Sequence, residues 1–321
     1  MGAAHFNRIE HLSWRAWRLG NKMESVGAMM PGRLISGGRN SYSEGLVMPE
    51  KTWFVTGASR GLGREWTRAA LNRGDKVAAT TREISALRDL QREFGDSLLT
   101  IQLDVTDRGG DFAAVAYAHD HFGHLDIVVN NAGYGHGGFI EELSEREVRD
   151  QMEVNFFGAL WIIQAALPYL RGQGYGHIVQ VSSGAGLTSA PDYGAYCASK
   201  FAIEGVCEAL AQEMEPFGIH VTLIEPGPFA TGFSTSSAKH SATLPPYVGL
   251  HEDAARATAK TIGEPGDPST AAIALLAVVD AGKPPLRVLF GASMLRIVTD
   301  SYDRRLAEWE DWNQISIQAQ G

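Results

Sequence analysis

Tyr196 and Lys200, in the run Tyr196-Cys-Ala-Ser-Lys200, are the residues of this chain best suited to moving a proton. Four residues apart on a helix, they project from one face. A free phenol titrates near ~10, too high for efficient exchange at neutral pH. A neighbouring ammonium favours the phenolate and lowers that value. Ser183, thirteen residues earlier, offers a hydroxyl that can bond a substrate oxygen. Asn155, in Val154-Asn-Phe-Phe-Gly158, falls within a helical stretch where asparagine is intrinsically unfavourable, so its side chain needs a local reason to be there. A Tyr/Lys pair alone is more often surface decoration. With Ser183 and Asn155 it becomes a candidate proton-transfer set that needs no metal.

A second stretch suits a phosphate. The apolar run Trp53-Phe-Val55 ends in Thr56-Gly-Ala-Ser-Arg-Gly-Leu-Gly63, and the turn opens into a helical pattern at Arg64–Leu71. Strand, glycine turn and helix form the first unit of a dinucleotide-binding fold. Gly57 suits the tight turn, Gly61 a close approach of backbone to pyrophosphate, and Gly63 tight packing of helix on strand. The helix N-terminus adds unpaired N–H groups and the positive end of a dipole.

These residues require a scaffold of alternating strands and helices. Apolar, β-rich runs are expected as strands at 53–55, 76–81, 98–103, 125–129, 177–181, 220–224 and 286–290. Helices are expected at 64–71, 84–94, 112–122, 144–170, 195–215 and 252–262, with Ser144 through Glu147 as a capping box. The expected fold is α/β: a doubly wound, parallel, seven-stranded Rossmann sheet in a three-layer α/β/α sandwich. The polar residues Thr56, Thr81, Asp104, Asn130-Asn131, Ser182-Ser183 and Glu225 then fall in series at the carboxyl ends of strands, where such folds bind ligands.

Thr56-Gly-x-x-x-Gly-x-Gly63, Asn130-Asn-Ala-Gly133, Asn155, Ser183, Tyr196-x-x-x-Lys200 and Pro226-Gly227 together resemble the short-chain dehydrogenase/reductase family, in its short single-domain branch. The resemblance covers residues 51 to about 231 and, more loosely, the remainder. It implies a nicotinamide-dependent oxidoreductase acting on CH–OH groups. Tyr196 would give or take the proton, Ser183 would hold and polarise the carbonyl oxygen, and Lys200 would lower the Tyr196 pKa and bond the nicotinamide ribose. Asn155 would hold a water of a proton relay. The glycine turn, with Ser59, Arg60 and Leu62 between Gly57, Gly61 and Gly63, would cradle the pyrophosphate. Asp104 and Val105 would meet the adenine, and Asn131 a ribose. Pro226, Gly227, Phe229 and Thr231 would lie along the nicotinamide and pyrophosphate.

The second strand bears on the choice of cofactor. NAD-selective sites place an acid at its end, but here it runs Ala79-Thr-Thr-Arg82. Arg82 and Arg60 offer two guanidinium forks for a 2′-phosphate, so NADP(H) is expected over NAD(H), with Glu83 the discordant neighbour expected to face away. The polar segment after Thr231 and the helix at 252–262 read as a substrate lid spanning about 228–262. Phe139, Tyr193, Phe229, Phe233 and His136 are candidates to line an apolar pocket for a small ketone, aldehyde or alcohol. A carbonyl reductase or alcohol dehydrogenase is the leading reading. The alternatives are a non-catalytic dinucleotide sensor, which has no use for the Ser–Tyr–Lys set, and a nucleotide-sugar epimerase or dehydratase, which would bring a larger C-terminal domain.

The chain has 321 residues, 44% of them hydrophobic, enough for a substantial core, and a net charge of −9. That balance, with no basic cluster, argues against nucleic acid as a partner. No apolar run approaches the ~18 residues of a membrane span, so no membrane partner is expected. Cys197 and Cys207, ten residues apart on one expected helix, are too distant for a disulfide. Free thiols suit a cytoplasmic location. Residues 1–47 carry net +3 and a Gly/Ser-rich stretch at 31–45, and read as a poorly ordered extension ahead of a single domain at 48–321. The helices at 144–170 and 195–215 resemble those of the family's dimer contact, so a homodimer or homotetramer is expected.

Overall fold

The computed structural model describes residues 49–234 and 237–321; the expected N-terminal extension and positions 235–236 of the expected lid lie outside them. Strand β1 (Thr52–Val55) leads through the glycine turn into α1 (Gly61–Arg73), followed by β2 (Lys76–Thr81), α2 (Arg88–Phe94), β3 (Leu98–Gln102), α3 (Arg108–Phe122) and β4 (Ile127–Asn130). Then come a short strand β5 (His136–Gly137), α4 (Glu145–Met152), α5 (Ala159–Gln173), β6 (Gly176–Val181), α6 (Gly194–Met214) and β7 (Ile219–Pro226). The remainder holds β8 (Lys239–His240), α7 (Val248–Ile262), α8 (Pro268–Val279), β9 (Arg287–Phe290), α9 (Met294–Asp311) and α10 (Asn313–Gln318).

Seven strands form one sheet in the order β3-β2-β1-β4-β6-β7-β9, every pair parallel. Period-two alternation sends successive side chains to opposite faces. Phe54, Ala78, Val128, Ile178 and Leu223 pack with α3, α5 and α6. Trp53, Val55, Val77, Val129 and Val179 pack instead with α1, α2 and α8. Both faces being covered, the central strands are largely apolar, with His177, Gln180 and Glu225 among the buried polar exceptions. The direction of winding reverses between β1 and β4, which opens a crevice at their carboxyl ends.

Several expected boundaries differ. The segment 84–94 is a 3-10 turn at Ile84–Leu87 followed by α2, because Glu83 caps the turn through Ser85 N at 3.1 Å. Helix α3 begins at Arg108 and β4 at Ile127. The helix expected at 144–170 starts with the Ser144/Glu147 capping box but is not continuous: Glu153–Gly158 forms a π-helical turn between α4 and α5. Helices α8, α9 and α10 were not expected, nor was the small two-stranded sheet β5–β8.

Candidate active site

A cleft of about 1650 Å³ lies along the carboxyl ends of β1, β2, β3, β4, β6 and β7. It is lined by Gly57, Ser59, Arg60, Gly61, Leu62, Arg82, Asp104, Val105 and Asn131 at one side, and by Ser183, Tyr196, Lys200, Pro226, Gly227, Phe229 and Thr231 at the other. Of the site residues expected from sequence, only Gly63 and Asn155 stand behind the cleft wall.

Gly57 has φ +67°, and a Cβ there would lie 2.9 Å from the Ala132 backbone. At Gly63 a Cβ would meet the Asn131 side chain at 2.3 Å and the Gly57 carbonyl at 2.6 Å. Asn131 explains that crowding, since its Nδ2 donates to the carbonyls of Thr56 (3.0 Å) and Gly57 (3.1 Å). Its amide nitrogen therefore ties β4 to the glycine turn and is not free for a ribose. Arg60 is the N-cap of α1, whose first turn has no side-chain cap and no acid. Those N–H groups suit a pyrophosphate. Neither Arg60 nor Arg82 forms an ion pair among the described residues, and both are exposed at the cleft. Thr81, at the end of β2, exchanges hydrogen bonds with the Glu83 backbone. Glu83 lines the cleft, but its carboxylate is occupied in capping Ser85. Asp104 accepts from Thr106 N and Oγ1 at 3.1 and 2.9 Å.

Deeper in, Ser183 follows β6 and Tyr196 lies in the first turn of α6. Tyr196 is buried, which pushes its phenol above the ordinary value, and a side-chain hydrogen bond with Ser183 works against that rise. Ser183 Oγ also accepts from Ala185 N at 3.1 Å. Lys200 is buried too, its ammonium pulled down to about 8 by desolvation and opposed by Glu204. Its Nζ donates to the Val181 carbonyl at 2.9 Å and lies 5.8 Å from the centroid of the Tyr196 ring. Burial is the largest influence on the phenol, and the Lys200 ammonium, bonded to the Val181 carbonyl, stands beside the ring.

Asn155 sits in the π-helical turn, its side chain fully engaged: Nδ2 donates to Tyr134 O (3.0 Å) and Ser199 Oγ (3.1 Å), while Oδ1 accepts from Tyr134 N (3.1 Å). It clamps the loop after β4 to α6.

Of the five candidate pocket residues, Tyr193, Phe229 and Phe233 line the cleft, but His136 and Phe139 do not. His136 is buried against Ser241 Oγ (3.0 Å) and Glu147 (3.5 Å). Phe139 packs on Tyr247 and His251. His251, on α7, is held between Glu142 Oε2 (2.9 Å) and Asp192 Oδ1 (3.3 Å). Asp192 has φ +70°, the left-handed region. Sequence reading missed Tyr134, whose phenol burial pushes up to about 12, and Lys239, which lies 4.5 Å from the centroid of that ring. It also missed Met294, which fills the space that Gly184 and Gly227 leave at the ends of β6 and β7. Nothing in the local sequence marks any of the three.

The profile of the short chain dehydrogenase family matches residues 51–242. The oxidoreductase BOA17 of Botryotinia fuckeliana is 38% identical over 269 residues, covering 83% of this chain and 98% of that protein. Among solved structures, a short chain dehydrogenase/reductase from Burkholderia phymatum in complex with NAD superposes with a TM-score of 0.70 at 25% identity, over 80% of this chain and 95% of the other. A short chain dehydrogenase from Burkholderia cenocepacia in complex with NADP gives 0.65 at 27%, over 82% and 97%.

Proposed function

The chain belongs to the short-chain dehydrogenase/reductase family of NAD(P)-dependent oxidoreductases, and from that premise we propose that it is an NADP(H)-dependent carbonyl reductase or alcohol dehydrogenase for a small, largely apolar substrate. The observation that carries the reading is the convergence of Ser183, Tyr196 and Lys200 in the same cleft as the glycine turn. The nicotinamide supplies or accepts the hydride when it is bound. Ser183 holds the carbonyl oxygen and Tyr196 gives that oxygen its proton, or takes one from the alcohol in the reverse direction. Lys200 bonds the ribose hydroxyls and, as an ammonium, eases ionisation of Tyr196. Arg60 and Arg82, both unpaired, would grip a 2′-phosphate, and Gly57 to Gly63 the pyrophosphate. Asp104 and Val105 would meet the adenine, with Pro226, Gly227, Phe229 and Thr231 along the nicotinamide side. Tyr193 and Phe233, whose ring packs tilted with its centroid 5.7 Å from that of Tyr196, supply apolar walls beside the reacting carbon.

The same reading treats Met48–Gly321, a compact unit, as the whole oxidoreductase domain, with a lid at about 228–262. Its two buried free thiols suit the cytoplasm. None of the described helices is long and apolar enough to cross a membrane. Exposed Ile140 and Val148, near α4 and α6, support a homo-oligomer built through those helices. The test is NADPH and NADH oxidation across a panel of ketones and aldehydes. Turnover with NADPH that falls by at least ~10²-fold in Tyr196→Phe, at unchanged cofactor affinity, is the expected result. Tight NADPH binding with no turnover on any carbonyl would favour a dinucleotide sensor instead.

A further inference from the structure

Where α6 covers the sheet, the apolar layer is interrupted by a polar seam. Parallel register pairs Gln180 with Leu223 and Arg287 with Leu223, so Ser182, Glu225 and Arg287 share the face below α6. Glu204 enters the seam from α6, one helical turn after Lys200. Its side chain is 7% exposed and that of Glu225 2%. The Arg287 Nε reaches Glu204 Oε2 at 3.3 Å and Glu225 Oε1 at 3.6 Å, while Nη2 bonds the exposed Glu208 at 2.9 Å. Ser182 lies beside Glu204 in the same seam, and its hydroxyl favours the Glu204 carboxylate.

Three carboxylates share one guanidinium, and two of them are out of water. Such an arrangement keeps both buried groups ionised only at high cost, so one is expected to hold a proton. Burial raises both carboxyls, but Ser182, Arg287 and Lys200 oppose the rise at Glu204, whereas Glu225 is pushed up to about 8 by burial and by Glu204, so Glu225 is the better candidate for the neutral partner. Glu204 is then the carboxylate that faces Lys200. The other polar groups around that ammonium are Tyr196 on α6, Asn155 in the π-helical turn and the Val181 carbonyl. Glu225 and Arg287 stand behind Glu204, and Cys207 lies one turn further along α6.

We propose that Glu204 is a positioning residue for the reaction, its buried carboxylate, oriented by Arg287, holding Lys200 in the ammonium form. The proposal rests on the role given to Lys200 above. An ion set kept only for stability would gain nothing over well-packed apolar side chains of like volume. This one lies a single turn behind the lysine that must stay charged.

The experiment is the pH dependence of kcat/KM for carbonyl reduction by the full chain, in wild type, Glu204→Gln, Glu204→Asp and Glu208→Gln. Reduction needs the protonated Tyr196–Lys200 pair, so the rate falls as pH rises through its ionisation. Removing a unit charge roughly 6–7 Å from the ammonium, at an effective dielectric constant of about 20, should move the falling limb to lower pH by about 1–2 units. Glu204→Asp, which keeps the charge, should hold the limb near that of wild type. Glu208→Gln, on the same arginine but in solvent, should leave it in place. If Glu204→Gln fails to fold, Glu204→Ala is read in the same way, since Arg287 retains two acidic partners. An unmoved limb in the folded variant, or an equal shift in Glu208→Gln, overturns the proposal. Absent reductase activity in wild type, or full turnover by Tyr196→Phe, would sink the reading of the active site itself.

Discussion

Asp111→Asn should stabilise the protein increasingly as pH rises. Asp111, the fourth residue of α3, is fully buried, and neither carboxylate oxygen has a hydrogen-bond partner. Burial, with Asp107 and Asp104 nearby, pushes its carboxyl from the ordinary 3.8 up to about 8. Between those values the native state holds a proton that the unfolded chain has released. Stability therefore falls as pH rises through the window, at about 1.36 kcal/mol per unit. From pH 5 to pH 8 the loss comes to about 4 kcal/mol. A unit the size of Met48–Gly321 has an unfolding entropy of about 0.6 kcal/mol per degree, so this corresponds to about 7 °C in Tm. Asparagine is close in volume and cannot ionise. Its Tm advantage over wild type should grow by about 7 °C between pH 5 and pH 8, read by calorimetry at fixed ionic strength. Glu204 and Glu225 have the same sign but act in both proteins and cancel. A Tm difference that stays constant across that range would refute the neutral, buried Asp111.

Two further outcomes follow from the cleft. Each charge-assisted bond to a 2′-phosphate is worth about 1.5–3 kcal/mol, so kcat/KM should favour NADPH over NADH by tens- to hundreds-fold. Thr81→Asp with Arg82→Ile should reverse that ratio by adding repulsion as well as removing attraction; a wild-type preference for NADH would overturn the reading of both arginines. His251→Ala frees α7 from Glu142 and Asp192. The substrate KM should rise by about fivefold with cofactor affinity unchanged, and an unchanged KM would remove α7 from the lid.

The sheet is legible in the sequence because buried parallel strands are mostly apolar on both faces, and Trp53–Val55 or Ile127–Val129 can be little else. The glycine turn is legible because Gly57 and Gly63 have no room for a Cβ. Helix α8 escaped notice because Pro268–Val279 is apolar almost all round and shows no period to read. His136 and Phe139 were misplaced for a different reason: an aromatic in a loop carries no mark of which neighbour it will meet. His136 met Ser241 and Glu147, and Phe139 met Tyr247 and His251. The mutual burial that sets the charge of Tyr196 and Lys200 is likewise a property of packing, which the Tyr-x-x-x-Lys spacing cannot convey.

The π-helical turn at Glu153–Gly158 has a consequence for how this chain tolerates insertions and deletions. A π turn accommodates one residue more than an α turn over nearly the same axial length. Winding the same residues as an unbroken α-helix would instead rotate everything downstream by about 100°. Ile162, Ile163, Ala166 and Leu170 would then swing off the sheet, while Asn155 would lose its hold on Tyr134. The extra residue works as a phase adjuster. It lets α4 present Gln151 and Asn155 to the loop after β4 while α5 presents its apolar side to the strands, two requirements that one regular helix could not meet together. A one-residue deletion within the π turn should leave α5 in phase on the sheet, whereas the same deletion inside α5 should not.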